Sequence, residues 1–115
     1  MKLLVHIVTG PENPSKPALA LLVANAAVDE GHEVRVFFAA DGVQLVRPAT
    51  AAATTGVGLG NVAEHIEKLR GAGVQFFLSR MSCEARELDP PEGFEAVAPP
   101  RLVENVGWAD KILIY

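Results

Sequence analysis

Cysteine is nearly missing from this chain of 115 residues; Cys83 is the only one. A lone thiol cannot close an internal disulfide, so a disulfide scaffold is excluded and a reducing compartment, the cytoplasm, is expected. A basic face is missing too. The net charge is −4 and charges of both signs are interspersed, so nothing supports nucleic-acid binding. No apolar run approaches the roughly 20 residues that span a bilayer, so no membrane segment is expected. The opening MKLLVHIVTG is too short for a signal peptide and lacks a small-residue cleavage pattern before Gly10. His6, His32 and His65 are scattered and form no HxxxH or Cys/His cluster. No metal site is therefore expected, and nothing calls for an organic cofactor. Half of the composition is apolar, enough for one folded domain over residues 1–115 with a single ordinary core.

The apolar runs are short and alternate with helical spacing. LLVHIV at 3–8, EVRVFFA at 33–39 and VQFFL at 74–78 suit strands buried on both faces. EAV at 95–97 and DKILIY at 110–115 predict two further strands. Between the first two, a helix is expected from Pro17 to Glu30. Ser15 would be its N-cap, Leu19, Leu22, Val23 and Ala26 its buried stripe, and Gly31 its stop. Asp41-Gly42 reads as a turn. ATAAATTGVGLG, within residues 49–60, carries no charge and reads as a flexible loop or one ordered by a neighbouring subunit. Asn61 should cap the next helix, with Val62, Ile66 and Leu69 inside, and with Glu64 and Lys68 paired outside beside a solvated His65. CEARELD predicts one or two helical turns, and Pro99-Pro100 open a short helix to about Val106. Trp108 is expected over a sheet end or an interface. The fold class is therefore α/β: three layers, α/β/α, around an open, mostly parallel sheet of about five strands. Ligands in such sheets collect at the carboxyl ends of the strands. TGPEN, Asp41-Gly42 and SRMSC would then share one edge.

Two chemistries are open at that edge. Cys83 stands near the start of a short helix, with Arg80 and Arg86 close in sequence. A helix N-terminus and two guanidinium groups lower a thiol pKa, which would make Cys83 a nucleophile stabilised by Arg86. The alternative is an inert cysteine packed as a small apolar residue. TGPENPSKP offers a glycine and a helix start that could meet an anion, but the P-loop pattern is absent. GVGLG does not follow a strand and has the wrong spacing for a phosphate loop. His6 reads as a satisfied core or sheet-end residue.

Taken in order, TGPENPSKPALALLVANAA, EGHEVRVFFAADGVQLV, GVQFFLSRMSCEARELD and ADKILIY resemble the DsrE/DsrF-like family, with its TusD-like and YchN-like members. The resemblance covers nearly the whole chain. It implies a YchN-like fold assembled as a homo-oligomer, trimer or hexamer. It also implies a possible sulfurtransferase or sulfur carrier that relays a persulfide between donor and acceptor proteins. The family's sulfur-bearing cysteine tends to stand near the end of the third strand, ahead of Ala-Arg-Gly. Here Ser79 stands near that place, Cys83 comes four residues later, and Glu87 replaces the glycine. Either Cys83 has taken over the sulfur, or this chain has lost the cysteine and is a non-catalytic binding member. In the second case a crevice of Gly10, Asn13, Asp41, Ser79, Arg80 and Ser82 would hold a small ligand or a partner.

Overall fold

The computed structural model describes residues 1–115. The chain alternates strands and helices in the order β1 (Lys2–Ile7), α1 (Ser15–Asp29), β2 (Glu33–Phe38), a 3-10 segment (Ala40–Val46), α2 (Pro48–Ala53), β3 (Thr55–Gly56), β4 (Gly60–Asn61), α3 (Val62–Gly71), β5 (Gln75–Ser79), α4 (Arg80–Ala85), β6 (Phe94–Val97), α5 (Pro99–Trp108) and β7 (Lys111–Ile114). Five strands form one sheet in the order β6-β5-β2-β1-β7, and every pairing in it is parallel. β3 and β4 make a separate two-stranded antiparallel ribbon.

The central strands are apolar on both sides because both faces of the sheet are covered. On one face Leu3, Val5, Ile7, Val36, Phe38 and Leu78 join the inner residues of α1 and α3 in the main cluster, which also takes in Ala51 and Cys83. On the other face Leu4, Phe37, Phe77 and Val97 pack against Leu102 and Ala109 at α5. All five phenylalanines lie on the adjacent strands β2, β5 and β6. Register sets Phe37 opposite Phe77, with ring centroids 6.1 Å apart. Phe76 and Phe94 approach to 5.1 Å. Such pairs add about 0.5–1.5 kcal/mol each beyond the area they bury.

Several local expectations are corrected. Ser15 is the first helical residue and not the cap; Pro14 holds the cap position without a side-chain bond. The buried face of α1 is Ala18, Leu21, Ala24 and Asn25. Leu19 and Leu22, expected inside, are 37% and 38% exposed. The helix carries apolar residues on all sides, so spacing alone could not choose between two apolar faces. The Asp41-Gly42 turn is part of the 3-10 segment. Residues 49–60 are ordered within the chain itself as α2 and the β3–β4 ribbon. Lys68 pairs with Asp29 at 3.0 Å, not with Glu64. His65 is half-buried: one ring nitrogen lies 2.7 Å from the Leu59 carbonyl oxygen and the other 3.4 Å from the Asn25 amide.

Asn61 does cap α3, accepting from the Glu64 amide at 3.2 Å. Its own amide group donates to the Ala52 carbonyl at 2.9 Å and to the Thr55 hydroxyl at 3.0 Å. One side chain thus starts a helix and closes the segment before it. Asn61→Ala is expected to lower unfolding free energy by about 2 kcal/mol, the upper end for a lost cap. Urea denaturation checks this; a loss below about half a kcal/mol would mean the capping bonds are replaced by water.

Candidate functional site

A parallel sheet delivers every strand's carboxyl end to one edge, and the loops there pack tightly. A Cβ at Gly10 would collide with the Asp41 carbonyl, and one at Gly42 with the Ile7 carbonyl. The loops after β1 and β2 therefore touch backbone to backbone, which only glycine permits. The Gly10 amide donates to a Glu12 carboxylate oxygen at 3.1 Å.

Two serines bind the third loop to the second. The Ser79 hydroxyl caps α4 by accepting from the Ser82 amide at 3.2 Å. Ser82 donates its hydroxyl to Ser79 Oγ at 3.0 Å and accepts the Ala40 amide at 2.9 Å. Ala40 is held at φ +50°, a left-handed conformation that costs an L-residue about 1–2 kcal/mol. Arg86 completes the rim. It pairs with the Asp41 carboxylate at 3.0 Å and donates to the Ser82 carbonyl at 3.2 Å.

The structure thus brings Gly10, Asp41, Ser79, Ser82 and Arg86 together. It does not bring in the other three expected residues, Asn13, Arg80 and Cys83. Asn13 is exposed and joins the loop through its backbone, its amide donating to the Gly10 carbonyl at 3.3 Å. Arg80 turns away to donate to the Ala96 carbonyl at 3.2 Å. Arg47, which no spacing rule linked to the site, donates to the Arg86 carbonyl at 2.8 Å.

Cys83 lies under this rim and not on it. It is 2% exposed and belongs to the main apolar cluster. It is the fourth residue of α4, whose first turn, Arg80–Ser82, separates it from the helix start. Burial raises its pKa, while Arg47 and Arg86 oppose that rise. Desolvation wins, so the thiol is less ionised than a free cysteine.

The backbone after Cys83 explains the displaced glycine. Leu88 donates its amide to the Cys83 carbonyl at 2.9 Å, and Glu87 to the Glu84 carbonyl at 3.2 Å. This is a Schellman ending, whose C′ position favours glycine. Glu87 occupies it at φ +50°.

Beside the rim a cavity of about 410 Å³ opens between Pro11, Pro14 and the α2 region, where Thr50, Thr54 and Thr55 line it. The lack of charge in this stretch suggests a linker, and only its run of small hydroxyl residues could have signalled a cavity wall. His6 lies elsewhere, edge-on to Phe37 with centroids 5.5 Å apart. Its Nε2 is buried without a partner, so the expected satisfied histidine is an unsatisfied one. Trp108 ends α5 and lies under the Arg35 guanidinium, 4.0 Å from the ring centroid. No group of three or more His, Cys, Asp or Glu side chains is placed to hold a metal ion, and no helix is long and apolar enough to cross a membrane.

A three-layer α/β/α domain with its polar residues gathered at the carboxyl edge of a parallel sheet defines the class. The particular family comes from sequence: the DsrE/DsrF-like family pattern matches residues 1–115, and the chain belongs to that family. Among solved structures it is similar to the crystal structure of the ychN protein from E. coli, with a TM-score of 0.81, 21% identity and 100% of each chain covered. At that identity the likeness shows the fold. No curated protein matches the chain by sequence.

Two outcomes are expected here. Glu87→Gly should stabilise the protein by about 0.5–1 kcal/mol, the left-handed strain relieved less the added chain entropy of glycine; chemical denaturation reads it. For His6, burial lowers the pKa below 6.5. The unfolded chain therefore binds more protons between that lowered value and 6.5, and stability falls as pH drops through this window. His6→Phe should flatten the dependence of the denaturation midpoint on pH below 6.5. An unchanged slope would assign the acid sensitivity to other groups.

Proposed function

We propose that this protein is a homo-oligomeric DsrE-family binding protein, in which the rim of Gly10, Asp41, Ser79, Ser82 and Arg86 receives a small polar ligand or a polar segment of a partner. One observation carries the reading. The only thiol is 2% exposed and its proton is held by burial, while the groups that face outward are hydroxyls, a carboxylate and a guanidinium. The Asp41 side chain is 60% exposed and that of Arg86 26%, so an incoming anion can compete with Asp41 for Arg86 without unfolding anything. The threonine-lined cavity beside Pro11 adds room for the uncharged part of such a ligand. A cytoplasmic location fits the single reduced cysteine.

A second reading is favoured by a separate observation. Arg47 and Arg86 both pull the Cys83 thiol toward its thiolate. The helix that buries Cys83 has only six residues. If α4 opens, the thiolate can attack the outer sulfur of a donor persulfide. A Cys83 persulfide then forms, the donor leaves as its thiolate, and a second thiolate on an acceptor protein can take the sulfur. The relay then requires opening as a step, and no metal or organic cofactor.

The two readings separate on one measurement. Native protein and urea-unfolded protein are treated with a thiol reagent and, in parallel, with a persulfide donor at neutral pH. The binding reading expects native Cys83 to react at least about tenfold more slowly than unfolded, because both access and thiolate fraction are reduced. It also expects no mass gain from the donor. Rapid native labelling with a gain of one sulfur mass, abolished in Cys83→Ser, would establish the relay instead.

A further inference from the structure

At the amino ends of the strands, the edge opposite the rim, a cavity of about 320 Å³ opens, lined by Val28, Ala72 and Trp108 and by the polar residues Glu33, Arg35 and Gln75. That size is at the small end of the range for small-molecule sites, about 300–1,000 Å³. Alternation puts Glu33 and Arg35 on one face of β2, and register sets Gln75 of β5 opposite Arg35. Glu33 and Arg35 carry opposite charges, yet neither takes part in the chain's ion pairs, which join Lys68 to Asp29, Arg86 to Asp41, and Arg101 to Glu95 and Glu104. Arg35 is nonetheless held in place. Its Nη1 donates to Asn105 Oδ1 at 3.1 Å. Asn105 is 1% exposed, and its own amide group donates to the Arg101 carbonyl at 2.9 Å. The guanidinium lies over the Trp108 ring, 4.0 Å from the centroid. These contacts fix the guanidinium plane and leave Nε and Nη2 without a partner in the chain. His6 Nε2 is the one buried side-chain nitrogen or oxygen that lacks a partner, so the Nε–Nη2 edge of Arg35 is open to solvent. That edge is a fork on which a guanidinium takes a carboxylate through two parallel hydrogen bonds.

We propose that this cavity binds a free α-amino acid with an apolar side chain. The ligand's carboxylate pairs with the Nε–Nη2 edge of Arg35 and its ammonium with the Glu33 carboxylate. Charge selects that class. A simple anion would meet Glu33 as a like charge, and a simple cation would meet Arg35, each at a cost. A zwitterion meets an opposite charge at both ends. The Gln75 amide, which bonds no other group in the chain through its side chain, supplies both a donor and an acceptor beside them. Val28, Ala72 and Trp108 offer apolar walls to the ligand's side chain. The stack on Trp108 and the bond to Asn105 order Arg35 before any ligand arrives, which reduces the entropy lost on binding. This is a site for binding and not for chemistry, and it does not depend on what the rim binds.

Trp108 is the only tryptophan in the chain, so its emission reports on this cavity directly. The full chain is titrated at neutral pH with L-valine, L-leucine and L-phenylalanine, by calorimetry for affinity and by Trp108 emission for location. At least one of the three is expected to bind saturably and to change the emission. For the probe that binds, the acid lacking its amino group and the amide lacking its carboxylate should each bind about tenfold more weakly. Arg35→Lys keeps the charge but loses the fork, and should weaken the amino acid about tenfold. Arg35 also bonds Asn105, so Glu33→Gln, at an exposed position, keeps the test separate from folding. That variant should erase the preference for the amino acid over the acid lacking its amino group. Absence of saturable binding by all three probes, binding that leaves Trp108 emission unchanged, a deaminated acid that binds as well as its amino acid, or a Glu33→Gln variant that keeps the full preference would each overturn the proposal.

Discussion

The constraint on which the rest depends is the parallel ladder between β1 and β2. Six residues of each strand are paired, from Lys2 with Glu33 to Ile7 with Phe38. Because the strands run the same way and end together, the loops after them leave side by side. Neighbouring strands lie only about 4.8 Å apart, so the loops have no room for side chains where they cross. Gly10 and Gly42 stand at those crossings, each with a neighbouring carbonyl where a Cβ would be. The rim is thus a consequence of strand spacing. Asp41 is presented there because Ala40 before it is held by the Ser82 hydroxyl of α4 and Gly42 after it lies against the Ile7 carbonyl of β1.

The same geometry decides the fate of Cys83. α4 begins directly after β5, with Ser79 ending the strand and capping the helix. A helix docked on a sheet shows its outer side to solvent and turns its inner side to the core. Met81 and Glu84 are exposed while Cys83 is buried. Two effects then compete at one sulfur. Removal from water favours the thiol, and two guanidinium groups favour the thiolate. The first is the larger, so the thiol form prevails. The Schellman bond from Leu88 to the Cys83 carbonyl holds the backbone in the same position. A glutamate at the left-handed residue between them makes that lock weaker than a glycine would.

Much of the sheet is legible from residues alone. LLVHIV, EVRVFF and QFFL are nearly continuous apolar runs, and only strands covered on both faces need them. The carboxyl-edge rule places three loops together, and five of the expected residues do meet there. The misses share a physical origin. Short-range patterns report which residues are apolar but not which of two apolar faces meets the core, so they pick the wrong stripe on α1. Charge-pairing rules for a single helix overlook Asp29 on a neighbouring one. Lack of charge in residues 49–60 suggests lack of structure, whereas small residues there allow α2 to lie close to α3. Arg47 reaches the rim only through the tertiary fold. The side of α4 on which Cys83 lies depends on how that helix docks, and the residues around it do not encode that.

Of the two apolar faces of α1, one serves the core. A helix of fifteen residues in a chain of this size needs one apolar face to join the core, and Ala18, Leu21 and Ala24 provide it. The two alanines let the helix approach the sheet closely. Two further leucines, Leu19 and Leu22, keep more than a third of their surface exposed. Their exposed part forfeits about a third of the roughly 1.5–3 kcal/mol that fully burying each such side chain can supply. The inner face of α1 is thus the one that folding requires, and the outer face contributes little to it.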